Sequence, residues 1–288
     1  MGVRKTALNA VYKMPVGISR RVLFTYFNHR LPHFTHPIAF NDKVNWRILN
    51  DRRPLLEWTC DKLAMKEHAR SASVRVPQTI WSGTDLRVLT GMDLPDYWVL
   101  KPNHRSGLVH FGHGKPDILR LPAITAGWMR SDEARDRGEW AYSRARPMFL
   151  VEEVIGTPGA PPPDYKFFVF SGEPAIVQVD TGRHDRHMRR LYRPDWTPLD
   201  VRYGPYPLPP VTAPPAGLDR MLTAAKDLGS DFDCIRIDLY EIDGKVFFGE
   251  FTPYPCGGLD RFIPASFDNE LGARWKLPAL EMRGFAMR

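Results

Sequence analysis

Two short segments in the last quarter of the sequence carry the residue types from which a metal site is built. In Cys234-Ile-Arg-Ile-Asp-Leu-Tyr240, strand alternation puts Ile235, Ile237 and Leu239 on one face and Arg236 and Asp238 on the other. In Val246-Phe-Phe-Gly-Glu-Phe-Thr252, Glu250 and Thr252 share a face, opposite Phe247 and Phe251. A hairpin closed by Asp243-Gly244-Lys245 sets Asp238 opposite Glu250 and Arg236 opposite Thr252. A two-residue loop would turn Glu250 onto the apolar face, at high cost. Neighbouring carboxylates repel unless one is protonated or a cation lies between them. Hard oxygen ligands suit Mg²⁺, with water and phosphate oxygens completing its shell. The solvated face of an ordinary amphipathic hairpin accounts for the same alternation.

Two lysines suit phosphates. Lys101 ends the strand-like run Trp98-Val-Leu-Lys101, followed by the polar loop Pro102-Asn-His-Arg-Ser106-Gly107. An ammonium at a strand end, beside loop N–H groups, can meet phosphate oxygens. Lys62 sits near a helix start, where the dipole also favours anions. Taken singly, each reads first as an exposed surface lysine.

Other groups are weaker candidates. His29, His33 and His36 have helix-like spacing, but Pro32 and Pro37 interrupt them and no carboxylate or cysteine adjoins, which argues against zinc. The basic run Arg183–Arg190 reads by default as a solvated loop, with a clamp for the carboxylate of an acceptor, led by Arg183, as the alternative. Gly257 and Gly258, just after the second acidic strand, would let the backbone approach a substrate. Cys256 beside them has no visible partner base and reads as structural.

The elements that must position these groups are mixed. Residues 1–75 read as mostly helical, with apolar groups three and four apart at Val22, Leu23, Tyr26 and Phe27 and again from Cys60 to Glu67. After Ser71–Pro77 the sequence turns β-rich, with strands expected over Tyr97–Lys101, Leu108–Phe111 and Met148–Ile155. A hairpin is expected from Tyr165–Phe170 and Ala175–Asp180, and a helix over Leu218–Leu228. Residues 194–217, with eight prolines, predict an irregular excursion. The pattern is α+β, without regular βα alternation.

Composition narrows the classes. The 288 residues, 43% hydrophobic and 25% charged, suffice for buried cores. Residues 1–75 hold 14 basic and 5 acidic groups, a charge of +9, whereas residues 76–288 are close to neutral at −2. A basic face of this kind suits an anionic partner. No nucleic-acid motif accompanies it and the excess is modest, which argues against nucleic acid. No apolar run approaches a membrane span. The charged N-terminus without an apolar signal region, and three widely spaced cysteines, predict a reducing cytoplasm. CxxC, HExxH, GxSxG and Walker-A patterns are missing. A homo-oligomer is compatible with all of this.

The ordered set Asp61-Lys62, Val76-Pro77, Lys101-Pro102, Ser106-Gly107, Glu152-Glu153, Asp164-Tyr165-Lys166, Arg236-x-Asp238 and Gly249-Glu250-x-Thr252 resembles the ATP-grasp superfamily. Within it, the chain resembles the TupA-like branch associated with teichuronopeptide biosynthesis, over about residues 40–280. The resemblance implies an α+β fold that holds a nucleotide between two mostly antiparallel sheets, after a short helical N-terminal region. It divides the chain into a basic helical region (1–75), a small ATP-grasp subdomain (76–155) and a large one with the metal site (156–288). It implies that Lys62 and Lys101 contact the ATP phosphates, under a loop containing Ser106 and Gly107. Glu152, Glu153 and Val154 would form the adenine strand, with Lys166 also at the nucleotide. Asp238, Glu250 and Thr252 would bind Mg²⁺, while Arg236, with Lys101, would act on the transferring phosphoryl group. Thr252 replaces the asparagine common in the superfamily, and Arg105 stands where a small loop residue is expected.

The activity implied is an ATP- and Mg²⁺-dependent ligase joining a small-molecule carboxylate to an amine through an acyl phosphate. Such chemistry needs positioning and charge neutralisation, and no protein nucleophile. Phosphorylation of a hydroxyl by a small-molecule or sugar kinase would use the same groups, and a non-catalytic anion- or nucleic-acid-binding protein is the reading from another class.

Overall fold

The computed structural model describes residues 8–72, 74–130, 137–159, 162–182 and 186–280. Helix α1 (Val16–Asn28) buries Ser19, Arg20, Leu23, Phe24 and Asn28, the three- and four-residue spacing of one helical stripe. It ends at His29, which is left-handed (φ 55°) and donates its N–H to the carbonyl of Thr25. His29 is thus a helix cap, and among the described residues no group of three or more His, Cys, Asp or Glu is placed to hold a metal.

Helix α2 (Phe40–Asn50) repeats Phe40, Val44 and Ile48 four apart, all fully buried. From its inner face Arg47 donates to the carbonyls of Cys234 (2.7 Å) and Pro253 (3.2 Å) and to Asp233 (2.6 Å). One buried guanidinium therefore pins the start of one acidic strand to the end of the other. Helix α3 (Lys62–Ala69) is capped by Asp61, whose carboxylate accepts the N–H of Ala64 at 3.0 Å.

Strands β1 (Thr79–Gly83), β2 (Tyr97–Pro102), β3 (His110–His113) and β4 (Phe149–Glu153) form an antiparallel sheet in the order β1-β4-β2-β3. A second antiparallel sheet contains β5 (Asp164–Phe170), β6 (Glu173–Thr181), β7 (Met188–Tyr192), β8 (Pro198–Leu199), β10 (Ile235–Ile242) and β11 (Lys245–Thr252), ordered β11-β10-β5-β6-β7-β8. Strand β9 (Arg202–Tyr203) pairs with β12 (Phe262–Ile263) inside the proline-rich excursion and its return.

The two faces of the large sheet differ. Helix α4 (Leu218–Gly229) lays Met221, Ala224, Ala225 and Leu228 on one face, and Gly229 packs so close to Val169 that a Cβ there would lie 2.5 Å from it. On the other face, α2 covers Phe168 and Phe170 through Phe40. Further along the same strand that face carries Lys166 and Asp164.

The β10–β11 hairpin keeps the expected pairing by an unexpected route. Asp238 pairs with Glu250 and Arg236 with Thr252. The turn, however, is only Asp243-Gly244, with φ of 50° and 71°, and Ile242 pairs with Lys245. Positive φ at both central residues is the two-residue hairpin geometry that matches strand twist. A bulge at Gly249 then adds the residue that returns Glu250 to the polar face. A Cβ on Gly249 would stand 2.9 Å from the carbonyl oxygen of Asp238. Because of the bulge, Val246 and Phe248 join Phe251 in the core, and Phe247 is only partly buried.

Candidate active site

Helix α3 and strands β2 and β4 assemble a cationic cluster. Glu152 on β4 is 2% exposed and pairs with Lys101 on β2 through one oxygen and with Lys66 on α3 through the other, both at 2.5 Å. Lys66 also donates to the carbonyl of Pro77 and to Thr79 Oγ1, each at 2.8 Å. Burial alone would raise the Glu152 carboxyl, but Lys101 and Lys66 outweigh it and hold it below the usual range. Burial pushes the Lys66 ammonium down to about 8, with Glu152 opposing the fall and Lys101 adding to it.

Lys62 opens α3 and donates to the carbonyl of Arg105. Asn103 joins this helix start to the loop after β2: its side-chain oxygen accepts the N–H of Leu63 (3.0 Å) and its carbonyl accepts that of Lys62 (3.2 Å). Burial lowers the Lys62 ammonium to about 8, opposed by Glu250 and Glu152 and reinforced by Lys101. Lys62 therefore feels groups from both sheets at once. In the loop itself Ser106 and Gly107 are exposed, Gly107 at φ 75° with open space where a Cβ would stand. Arg105 donates to the carbonyl of Gly127 at 2.7 Å, tying the loop to the segment after the helical turn Leu121–Ile124.

The large sheet supplies the acidic half. Arg236 donates to both oxygens of Asp238 (2.7 and 2.9 Å), to Thr252 Oγ1 (3.0 Å) and to Glu250 (3.4 Å). Lys166, opposite Asp238 on β5, donates to Asp164 at 2.5 Å and to Asp238. Burial would raise the Asp238 carboxyl, but Arg236 and Lys166 bring it below the usual range. The cations demanded by two adjacent carboxylates are thus Arg236 and Lys166. Glu250 keeps 30% of its side chain exposed, and Thr252 Oγ1 lies 3.5 Å from it. Asp238, Glu250 and Thr252 offer only oxygen, a donor set that fits Mg²⁺ with phosphate and water in its remaining positions.

Not every expected residue joins this assembly. Gly257 (φ 57°) and Gly258 (φ 63°) are buried, and what approaches them is protein. A Cβ on Gly258 would lie 2.6 Å from Asn45 Nδ2 and 2.9 Å from the carbonyl oxygen of Asn41, while Arg20 donates to the carbonyl of Gly257. These glycines let α2 and α1 dock. Cys256 is protonated at neutral pH, since burial pushes its thiol up to about 11. Glu153 accepts the N–H of Gln78 at 2.7 Å, and Val154 follows the strand, half-buried. Arg183 lies outside the described residues. Arg189 and Arg190 form part of strand β7 and are buried, so this end of the basic run is no solvated loop. Lys66 is the residue missed from sequence; its position four after Lys62, on one helical face, was the available signal.

The chain belongs to the TupA-like ATP-grasp family, whose model matches residues 42–276. Its α+β fold of two antiparallel sheets after a short helical region is the ATP-grasp fold. Among similar solved structures is D-alanine–D-alanine ligase from Bacillus anthracis complexed with ATP, at TM-score 0.42 and 17% identity, covering 68% of this chain and 55% of that one. The D-alanine–D-alanine ligase from Helicobacter pylori gives 0.41 and 16%, covering 77% and 60%. The ATP-grasp ligase PsnB complexed with minimal precursor gives 0.41 and 12%, covering 77% and 63%. The chain thus spans less than two thirds of the length of each. No curated protein matches it.

Proposed function

We propose that the protein is an ATP- and Mg²⁺-dependent carboxylate–amine ligase that forms an amide or peptide bond through an acyl phosphate, in surface-polymer or specialised-metabolite biosynthesis. The observation that carries this reading is the meeting of the two sheets at Lys62, whose ammonium senses Glu250 on one side and Lys101 and Glu152 on the other. Cations suited to phosphates and oxygens suited to a metal thus act on the same ammonium. On this reading residues 76–155 and 156–288 are the small and large halves around the nucleotide.

Lys62 and Lys101 neutralise the ATP phosphates, and the loop with Ser106 and Gly107 lies over them. Glu152 holds Lys101 in position from the buried side, with Lys66 as its second anchor. Backbone groups of Glu153 and Val154 meet the base. Asp238, Glu250 and Thr252 hold Mg²⁺, which supplies charge neutralisation and alignment of phosphate oxygens. Arg236, fixed by its contacts to Asp238 and Thr252, stabilises the phosphoryl group in transfer without reorganising. The acid's carboxylate oxygen takes the γ-phosphoryl group, and the amine then displaces phosphate. No side chain of the protein needs to form a covalent bond.

The test is an ATP-consumption screen over amino acids, peptides and hexuronic acids, with mass spectrometry of the products. ADP, phosphate and a condensed amide are expected. A stable phosphorylated product with no amide would assign the site to a kinase instead.

A further inference from the structure

The polar face of the large sheet does not stop at the metal-binding pair. The register carries Asp238 to Lys166 and on to Gln178, and pairs Asp164 with Asp180 and Asp180 with Arg189. Four strands, β10, β5, β6 and β7, thus contribute neighbouring polar side chains, nearly all buried. Burying ions is an expensive way to hold a sheet, since well-packed apolar residues commonly serve as well or better.

At the far end Asp180 Oδ2 accepts from Gln178 (2.9 Å), and Asp180 Oδ1 accepts from Arg189 Nε (2.8 Å). Arg189 continues to Asp260 at 3.1 Å. His187, on the same face two residues before Arg189, brings Nε2 to 3.4 Å from Asp180 Oδ1. Its ring rests on Tyr206, centroids 4.0 Å apart, and Arg189 covers the same tyrosine at 4.4 Å. His187 keeps 25% of its side chain exposed and Asp260 26%, so solvent reaches this end. Asp180 lies two strands across and two residues along from Asp238, about 12 Å at ordinary strand geometry. That is a fitting separation for a metal-bound phosphate, the acyl group it activates and an attacking amine in sequence.

Resting on the ligase reading, we infer that His187, beside Asp180 and seated on Tyr206, is the base that accepts a proton from the acceptor's ammonium group. The acceptor arrives as R–NH₃⁺ and cannot attack until one proton leaves. That proton passes to the imidazole of His187. The freed lone pair forms the C–N bond, the acyl C–O bond breaks, and phosphate departs with the electron pair and takes up the second proton. The third stays on the amide. With Nε2 turned toward Asp180, Nδ1 is the ring nitrogen left to receive the proton, a role an imidazole can fill.

Hydroxylamine tests the assignment, because it is largely unprotonated at pH 7 and needs no base. ADP release is measured for wild type and His187→Gln with a pool of amino acids and hexuronic acids, with and without excess hydroxylamine; ADP affinity reports folding. The substitution should cost about 100-fold with the ammonium acceptors and be restored to within about threefold of wild type by hydroxylamine. Equal loss with both nucleophiles, at unchanged ADP affinity, overturns the role of His187 alone. Unchanged turnover with the ammonium acceptors overturns it as well. Absence of ADP from wild type under every condition overturns the ligase reading and this inference with it.

Discussion

The two sheets bury charge in opposite senses. Around Glu152 gather Lys66 and Lys101, with Lys62 close by, so cations outnumber the anion. Around Arg236 and Lys166 gather Asp238, Asp164 and Glu250, so anions outnumber cations. The difference shows in the titrations. Lys62 and Lys66 are both driven down to about 8, first by burial and then by Lys101, whereas Asp238 is driven down because cations favour its ionised form. One half suits an anion and the other a cation, as the proposed metal–triphosphate would require.

The largest effect should come from the acidic half. Asp238→Asn and Glu250→Gln remove a metal charge with little change of shape, and turnover should fall by about 1,000-fold or more while the fold persists. Circular dichroism with an ADP-release assay checks this; near-normal activity in both variants would break the division between the halves. In the cationic half, Lys62→Met or Lys101→Met should weaken ATP binding by about 1–3 kcal/mol each. Calorimetric titration giving unchanged affinity at both positions would remove them from the phosphate site.

Because Lys62 and Lys66 titrate near 8 when folded and near 10.5 when unfolded, the folded state releases protons first. Stability should therefore rise with pH between about 8 and 10.5, while nucleotide affinity falls as the lysines lose charge. Urea titrations and nucleotide binding at pH 7 and 9 separate the two trends, and Lys62→Met should flatten both. The smallest expected effect concerns the frame. Gly249→Ala presses a Cβ against the carbonyl of Asp238 and should cost about 1–3 kcal/mol of unfolding free energy. An unchanged denaturation midpoint would mean that the bulge does not set the position of Glu250.

The same contrast separates what was legible in the sequence. Alternation placed Asp238 and Glu250 on one face because a strand has a period of two and its apolar side must be buried. It could not reveal that a two-residue turn and a bulge, not a three-residue loop, produce that pairing; both give the same partners, and only the packing of Phe248 distinguishes them. The cationic half was less legible. Lys101 and Lys62 were visible from their places at a strand end and a helix start. The link from Lys66 to Glu152 crosses from a helix to a strand 86 residues away, and no local pattern encodes it. Gly257 and Gly258 were seen as positions needing close approach, but sequence could not say that the approaching groups are Arg20, Asn41 and Asn45.

The central claim, that charge from both sheets converges on γ-phosphoryl transfer to a carboxylate, is tested most directly by labelling the acid substrate with oxygen-18 in its carboxyl group. The oxygen that attacks phosphorus leaves with it when the amine displaces phosphate, so one labelled atom should appear in the released inorganic phosphate, with ADP as the nucleotide product. Unlabelled phosphate, or AMP carrying the label, would contradict the account.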